Sequence, residues 1–302
     1  MIIDIHQHIT CRQFPQFTRL KLYGGHGPFT ASHLLRDMDK WGIDKSAVLP
    51  LANPENMDFF GVAGNQEVLA SCRKHPDRLI PFCNIDPRGV LNHAKADFSL
   101  LMKLFKDLGC MGIGEICANL RINDPLCKNL FDHAGRAGLP VLFHLSPRQG
   151  RLYGIFDRPG LPGLEEVLRD FPRTIFIGHA PSFWNEIDGR LEPGQRNGYP
   201  KGPIVREGAL WQLMEKYPNL YGDFSAGSGH NALTRDPAAG FRFLNKFHRK
   251  IFFGTDFFFR KDKPPLHLVF MRSALSGKHI SKAAYKNIMH RNFERVFMRK
   301  RL

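Results

Sequence analysis

A chain of 302 residues, 43% of them hydrophobic, can bury a large core, and no run of eighteen apolar residues marks a membrane span. Its formal net charge of +15 admits nucleic acid or small anions as partners. The lysines and arginines are spread along the chain instead of forming a stripe interleaved with aromatics, so a solvated basic exterior is expected and no nucleic-acid partner.

The first element is Ile2-Ile3-Asp4-Ile5-His6-Gln7-His8, a short strand of branched apolar residues with two imidazoles at its C-terminal end. Strand side chains alternate between faces, which puts His6 and His8 on one face roughly 7 Å apart. Two neutral imidazoles at that spacing can converge on one metal ion, although the same pair also fits two ordinary histidines. No basic or apolar leader precedes the strand, so no signal peptide is expected and the cytoplasm is the default location. The cysteines at 11, 72, 83, 110, 117 and 127 show no Cys-x-x-Cys spacing and read as reduced, buried small hydrophobes.

Residues 9–30 are rich in Gly, Phe and Arg and end in Gly24-Gly25-His26-Gly27-Pro28, which is loop chemistry. A helix is predicted over 31–41, capped by Ser32, with Leu34, Leu35 and Met38 on one face. Residues 46–51 form a continuous apolar run of the kind found in buried parallel strands. Helices are then predicted over 64–74, 92–108, 125–137 and 161–171. They alternate with strands over 79–84, 111–116, 140–144 and 173–179. Residues 181–204, dense in Gly, Pro and Asn, are too long for an ordinary connection and make a candidate lid. A helix over 205–217, a strand over 219–224, a helix over 237–247 and a strand over 250–256 complete the alternation. The tail over 265–298 is helical, and the basic run Met298-Arg299-Lys300-Arg301 is a frayed end.

Eight strands each followed by a helix, with no break in composition, predict an α/β fold. Residues 1–302 would form one (β/α)8 TIM-type barrel domain. An open doubly wound sheet is the alternative, but no glycine-rich phosphate turn follows the first strand. In the barrel, His6 and His8 end strand 1, Glu115 strand 4, His144 strand 5, His179 strand 6 and Asp256 strand 8. All six stand on the face where barrel active sites form. A single such histidine fits a satisfied core residue. Six metal-competent groups at matching positions do not.

On these residues the chain resembles the amidohydrolase superfamily, in particular its amidohydrolase-related branch of decarboxylases, lactonases and hydratases. The resemblance spans nearly the whole chain. It rests on Ile3-Asp4-Ile5-His6-Gln7-His8, Leu142-Phe143-His144, Ile177-Gly178-His179, Phe253-Gly254-Thr255-Asp256 and the closing Asn292-Phe293-Glu294-Arg295-Val296-Phe297. It implies that His6, His8, His144 and Asp256 hold a divalent metal, with His179 as an acid/base or oxyanion-polarising residue. Gly112-Ile113-Gly114-Glu115-Ile116 departs from that pattern and is similar to the Gly-Glu-Ile of TatD-like metallohydrolases. That similarity implies a Glu115 bridging two metals, with His144 and His179 on the second; a carboxylate orienting a ligand histidine is the other role open to it.

Zinc is the expected ion, as one or two equivalents, with manganese or iron as alternatives. A divalent metal lowers the pKa of a water from ~15.7 toward ~7, and Asp256 can take that water's proton as general base. The expected activity is hydrolysis of a small ester, lactone or amide. A decarboxylase or hydratase is the alternative, and a TatD-like nuclease ranks below both. Arg121 and Arg148, just beyond strands 4 and 5, are candidates to bind a carboxylate or phosphate of the substrate. Asn119, Trp184, Tyr199, Ser225 and His230 fall in loops on the same side. A homo-oligomer is compatible with all of this.

Overall fold

The computed structural model describes residues 1–10, 28–56, 61–260 and 262–298. Branched apolar runs form parallel strands in two sheets. β1 (Ile3–Gln7), β2 (Lys45–Val48) and β3 (Leu79–Pro81) make the first, in that order. The second contains β4 (Ile113–Ile116), β5 (Val141–Ser146), the two-residue β6 (Ile155–Phe156), β7 (Phe176–His179), β8 (Leu220–Asp223) and β9 (Ile251–Phe252). Its order is β4-β5-β7-β8-β9, with β6 against the end of β5. Hydrogen bonds join the sheets at both edges. Cys83 N donates to Gly112 O (3.0 Å) and Gly114 N to Cys83 O (2.8 Å) between β3 and β4. Ile5 N donates to Phe253 O (2.9 Å) and Asp256 N to His6 O (2.8 Å) between β9 and β1. With β6 set aside, eight parallel strands close on themselves, a (β/α)8 barrel of the TIM type.

Helices Ala31–Trp41, Pro125–Ala137 and Pro237–Phe247 occupy the spans their apolar periodicity predicts. In the second of these Asp124 caps the Leu126 amide, Pro125 takes the first position, and Gly138 ends the helix at φ 67°. The cap of the first helix is Thr30, in reciprocal bonding with His33, and not Ser32. The helix expected over 92–108 begins only at Ser99. Local turns displace its first part: His93 Nδ1 accepts from Lys95 N (3.1 Å), Asp97 Oδ1 accepts from Ser99 N (2.9 Å), and Val90, Leu91 and Asn92 have positive φ. A further helix, Ala226–Thr234, follows β8 where none was expected. In the tail, Leu266–Ser276 and Lys282–Lys286 lead into wider turns over Asn287–Arg291 and Glu294–Met298. Asn292 Nδ2 donates to Ile251 O (2.6 Å) and His248 O (2.8 Å), fastening that tail onto β9.

One apolar cluster of Ile3, Ile5, Ala47, Leu49, Ile80, Phe82, Leu142, Ile177 and Phe252 packs between the strands. It is the layer beneath the mouth, because Leu142 and Ile177 precede His144 and His179 by two residues and pair directly across β5 and β7. A larger cluster packs the helices against the strands' outer faces. Cys72, Cys83, Cys110, Cys117 and Cys127 are free and buried. Among the described residues no helix is long and apolar enough to cross a membrane. The glycine-rich stretch at 24–27, Cys11 and residues 299–301 lie outside the described residues.

Candidate active site

Two of the strands that deliver polar groups to the mouth carry one residue more than their neighbours. β1 pairs with β2 through Ile3↔Lys45 and Asp4↔Ser46, then slips before Gln7↔Val48. β4 slips against β5 between Ile113↔Val141 and Ile116↔Phe143. Such bulges re-aim side chains. The first lets Ile3 and Ile5 join the apolar layer while His6 and His8 still reach the mouth above it. The second falls at Glu115, and Gly114 is required there, since a Cβ would stand 2.8 Å from the Leu142 carbonyl oxygen.

The result is a buried convergence. His6 Nε2 and His8 Nε2 stand 3.0 Å apart. Glu115 Oε2 lies 3.6 and 3.5 Å from them, and Asp256 Oδ1 lies 3.5 and 3.4 Å from them. His179 Nε2 completes the ring, 3.8 Å from Glu115 Oε1 and 3.6 Å from Asp256 Oδ2. His144 Nδ1 donates to Glu115 Oε1 at 2.8 Å. All six groups expected from the sequence therefore meet, with His144 joined to the others through Glu115 and through its ring against His179, centres 5.5 Å apart.

Surrounding groups set the ring orientations. A carboxylate and a carbonyl can only accept, so His6 Nδ1 donates to Asp223 Oδ2 (2.6 Å) and His8 Nδ1 donates to the Leu49 carbonyl (2.8 Å). His179 Nδ1 faces the same Asp223 oxygen at 3.2 Å and Ser225 Oγ at 3.1 Å. Asp4 ties β1 to the end of β9, accepting from Thr255 N (3.1 Å), Thr255 Oγ1 (2.7 Å), Gln7 Nε2 (2.8 Å) and His6 N (3.0 Å). Asp256 holds a left-handed φ of 55°, an uncommon state for a non-glycine residue that its surroundings must enforce.

The electrostatics call for positive charge. Burial alone would lower the imidazoles, but Asp256, Asp223 and Glu115 outweigh it and raise His6, and Asp256 and Glu115 raise His8; Asp223 and Asp256 likewise bring His179 up to about 9. Burial alone would raise the carboxylates, but the histidines hold Glu115, Asp223 and Asp256 well below the usual range. With both Nδ1 atoms protonated, the Nε2 lone pairs of neutral His6 and His8 point at one spot, flanked by two carboxylates. That donor set fits a divalent metal. His6, His8 and Asp256 form one group of ligand atoms within 4.8 Å of each other, and His6, Glu115 and His179 another; Glu115, Cys117 and His144 form a third.

The cleft above has two lobes that share His144, Tyr153 and Asp256. The inner, of about 70 Å³, is walled by Leu51, Val62 and Phe258 with His8 and Glu115. The outer, of about 260 Å³, includes His179, Tyr199, Ala226 and Ser228. Tyr153 lies over His144, ring centres 4.7 Å apart. Arg121 is exposed, its guanidinium 5.6 Å over the Phe156 ring, and Arg148 is exposed; neither stands in a lobe wall. Asn119 Nδ2 braces the loops, donating to Arg148 O (3.1 Å) and Gly154 O (3.0 Å). Trp184 is fully buried and donates to Asp223 O (2.7 Å), so it packs beneath the site. His230 packs on His267, ring centres 5.4 Å apart. The stretch 181–204 is folded down by short helical turns and a buried Arg196–Glu186 ion pair of 2.6 Å.

Asp223 and Cys117 belong to this site and were not singled out from the sequence. For Asp223 the signal is present, since Leu220-Tyr221-Gly222-Asp223 ends a strand as Phe253-Gly254-Thr255-Asp256 does. Gly254 leaves room for the Asp223 carboxylate, because a Cβ there would stand 2.7 Å from Asp223 Oδ1.

Solved structures similar to this one over nearly their whole length include an uncharacterized TIM-barrel protein from Bordetella bronchiseptica, with 18% identity, 98% of each chain covered and a TM-score of 0.64. A 2,6-dihydroxybenzoate decarboxylase from Rhizobium gives 16%, 98% of each chain and 0.62. A probable 2-pyrone-4,6-dicarboxylic acid hydrolase from Acinetobacter baumannii gives 14%, 99% of each chain and 0.60. At such identities the likeness speaks for the fold. No curated protein matches the chain. The family model described as Amidohydrolase, by contrast, matches residues 3–299, from the strand that carries His6 and His8 to the helical tail, and by that match the chain belongs to the amidohydrolase family.

Proposed function

We propose that the protein is a metal-dependent hydrolase of a small ester, lactone or amide, with Asp256 as general base. The observation that carries this is the division of the Asp256 carboxylate. One oxygen lies 3.4 Å from His8 Nε2 and the other 3.6 Å from His179 Nε2, on a side chain 21% exposed to the cleft. His6, His8 and Asp256 would hold the ion, with Glu115 as a further donor. The bound ion supplies Lewis acidity, lowering the pKa of a water from ~15.7 toward ~7 and polarising a carbonyl. Asp256 accepts the water's proton and returns it to the leaving group. His179 donates from Nε2 to the carbonyl oxygen as charge grows there, its ring held by Asp223 and Ser225.

Zinc is the ion we propose, with manganese or iron as alternatives for this imidazole and carboxylate set. Glu115 divides its oxygens between the His6/His8 pair and His144/His179, which supports a bridging role between two ions like that of the TatD-like glutamate. Arg121 and Arg148 enter only through a substrate long enough to pass the rim.

Decarboxylation or hydration is the second candidate activity. It is favoured by the inner lobe, whose Leu51, Val62 and Phe258 walls give a carboxylate an apolar setting beside Asp256. Zinc-loaded protein assayed against small esters, lactones and amides, with CO2 release followed in parallel on aromatic carboxylates, separates the two. Metal-dependent hydrolysis is the expected result. CO2 release without hydrolysis would replace the proposal with the lyase.

A further inference from the structure

The helix Ala226–Thr234 starts directly above the end of β8, and its first turn stands in the wall of the outer lobe through Ala226 and Ser228, together with His179 and Asp256. Ser225 N is occupied by Asp223 Oδ1 (3.0 Å), and Gly229 N by Ser225 O (3.2 Å). Between them, the N–H groups of Ala226, Gly227 and Ser228 meet no acceptor among the described residues. Orphan amides are normal in a first helical turn. The Ser228 hydroxyl is a second feature. The residue is 3% exposed, stands in the wall of the outer lobe, and its Oγ, like that of Ser46, has no hydrogen-bond partner among the described residues. A buried hydroxyl left unpaired is costly, and native proteins rarely keep one without a use.

Two more contacts shape the spot. His267 Nε2 donates to the Ala226 carbonyl at 2.6 Å, occupying the first carbonyl of the helix. Tyr199, in the same lobe, lies over Gly227, its hydroxyl 3.2 Å from where a Cβ would stand. No lysine or arginine stands in the wall of either lobe among the described residues. Positive character in the outer lobe, apart from the histidines, comes from this helix end, whose dipole and free amides favour an anion.

We infer that the start of this helix is the anion subsite of the cleft. It takes a carboxylate of the substrate through the Gly227 and Ser228 amides and the Ser228 hydroxyl. A singly charged carboxylate suits neutral donors, whereas a phosphate dianion is matched by arginine or lysine. The inference rests on the cleft being the active site of the proposed hydrolase, and narrows its substrate to a small molecule with an apolar body for the inner lobe and a carboxylate for the outer.

Calorimetric titration with benzoate and with neutral benzamide tests this on zinc-loaded protein and on protein stripped by a chelator. Benzoate should bind at least tenfold more tightly than benzamide in both forms. Ser228→Ala should weaken benzoate by about tenfold, the scale of one hydrogen bond to a charged group. Ser228→Asp should abolish benzoate binding by placing a fixed carboxylate in the subsite, with metal content unchanged. Equal binding of the two probes would overturn the inference. So would benzoate binding that needs zinc and ignores Ser228, which would put the carboxylate on the metal. If Ser228→Asp does not fold, Ser228→Ala alone decides. Ser228-dependent benzoate binding in a protein that hydrolyses no ester would sink the hydrolase and leave the subsite standing.

Discussion

The Nε2 atoms of His6 and His8 stand 3.0 Å apart while both Nδ1 atoms are taken, one by Asp223 and the other by the Leu49 carbonyl. Two side chains that leave their strand roughly 7 Å apart thus close to contact at the ring tips. Two neutral imidazoles so arranged repel unless a cation lies between their lone pairs.

Asp223 is the residue on which both sides of the site depend, because its Oδ2 meets His6 Nδ1 at 2.6 Å and His179 Nδ1 at 3.2 Å. Asp223→Asn keeps the shape but cannot accept from both rings as a charged group. Partners that orient ligand histidines are worth about 10- to 100-fold in metal affinity, so a loss on that scale is expected in chelator competition. Unchanged affinity would remove Asp223 from that role.

Asp256→Asn should retain a bound ion yet lose turnover by ~10²-fold or more, the usual scale for a general base. Steady-state kinetics at matched metal occupancy measures it. Near-wild-type turnover would show that the proton goes elsewhere.

His267 gives the protein an acid limit. Burial first, with His230 adding to it, holds its imidazole down at about 4, against an ordinary value of 6.5. A depressed histidine contributes stability that is fully present above pH 6.5 and is lost as pH falls through about 4, because the unfolded chain takes up the proton first. The loss is of order 3 kcal/mol by linkage. Denaturant unfolding of wild type between pH 7 and 4 should show that decline, and His267→Gln should flatten it. An equally steep decline in the variant would count against His267 as its source.

The stretch 181–204 is anchored by Arg196 and Glu186, whose side chains are 3% and 10% exposed. Removing one member of a buried pair leaves the other charge uncompensated, at a cost of about 3–5 kcal/mol. Glu186→Gln should therefore shift the urea midpoint downward strongly. A shift under about 1 kcal/mol would mean the charge of Arg196 is met by solvent or by its other contacts.

Much of this molecule is legible in its sequence because strand and helix periods differ. The barrel follows from the alternation of apolar runs such as 140–144 with amphipathic stretches such as 125–137. What sequence could not supply has local causes. The bulges in β1 and β4 depend on pairing with β2 and β5, which no single strand encodes. The helix Ala226–Thr234 holds Gly227, Gly229 and Asn231, weak helix formers with no apolar stripe, and is fixed by its neighbours. The stretch 181–204 has a loop's composition, yet Arg196 and Asn185 fold it down through contacts far from obvious in the chain.

The central claim is that a divalent metal sits between His6, His8 and Asp256. Anomalous diffraction at the zinc edge, on crystals grown with zinc, tests it most directly. The account predicts a peak within ligand distance of both Nε2 atoms and of the Asp256 carboxylate, lost in a His6→Ala/His8→Ala variant. A well-folded protein with no peak there after zinc supplementation would contradict it.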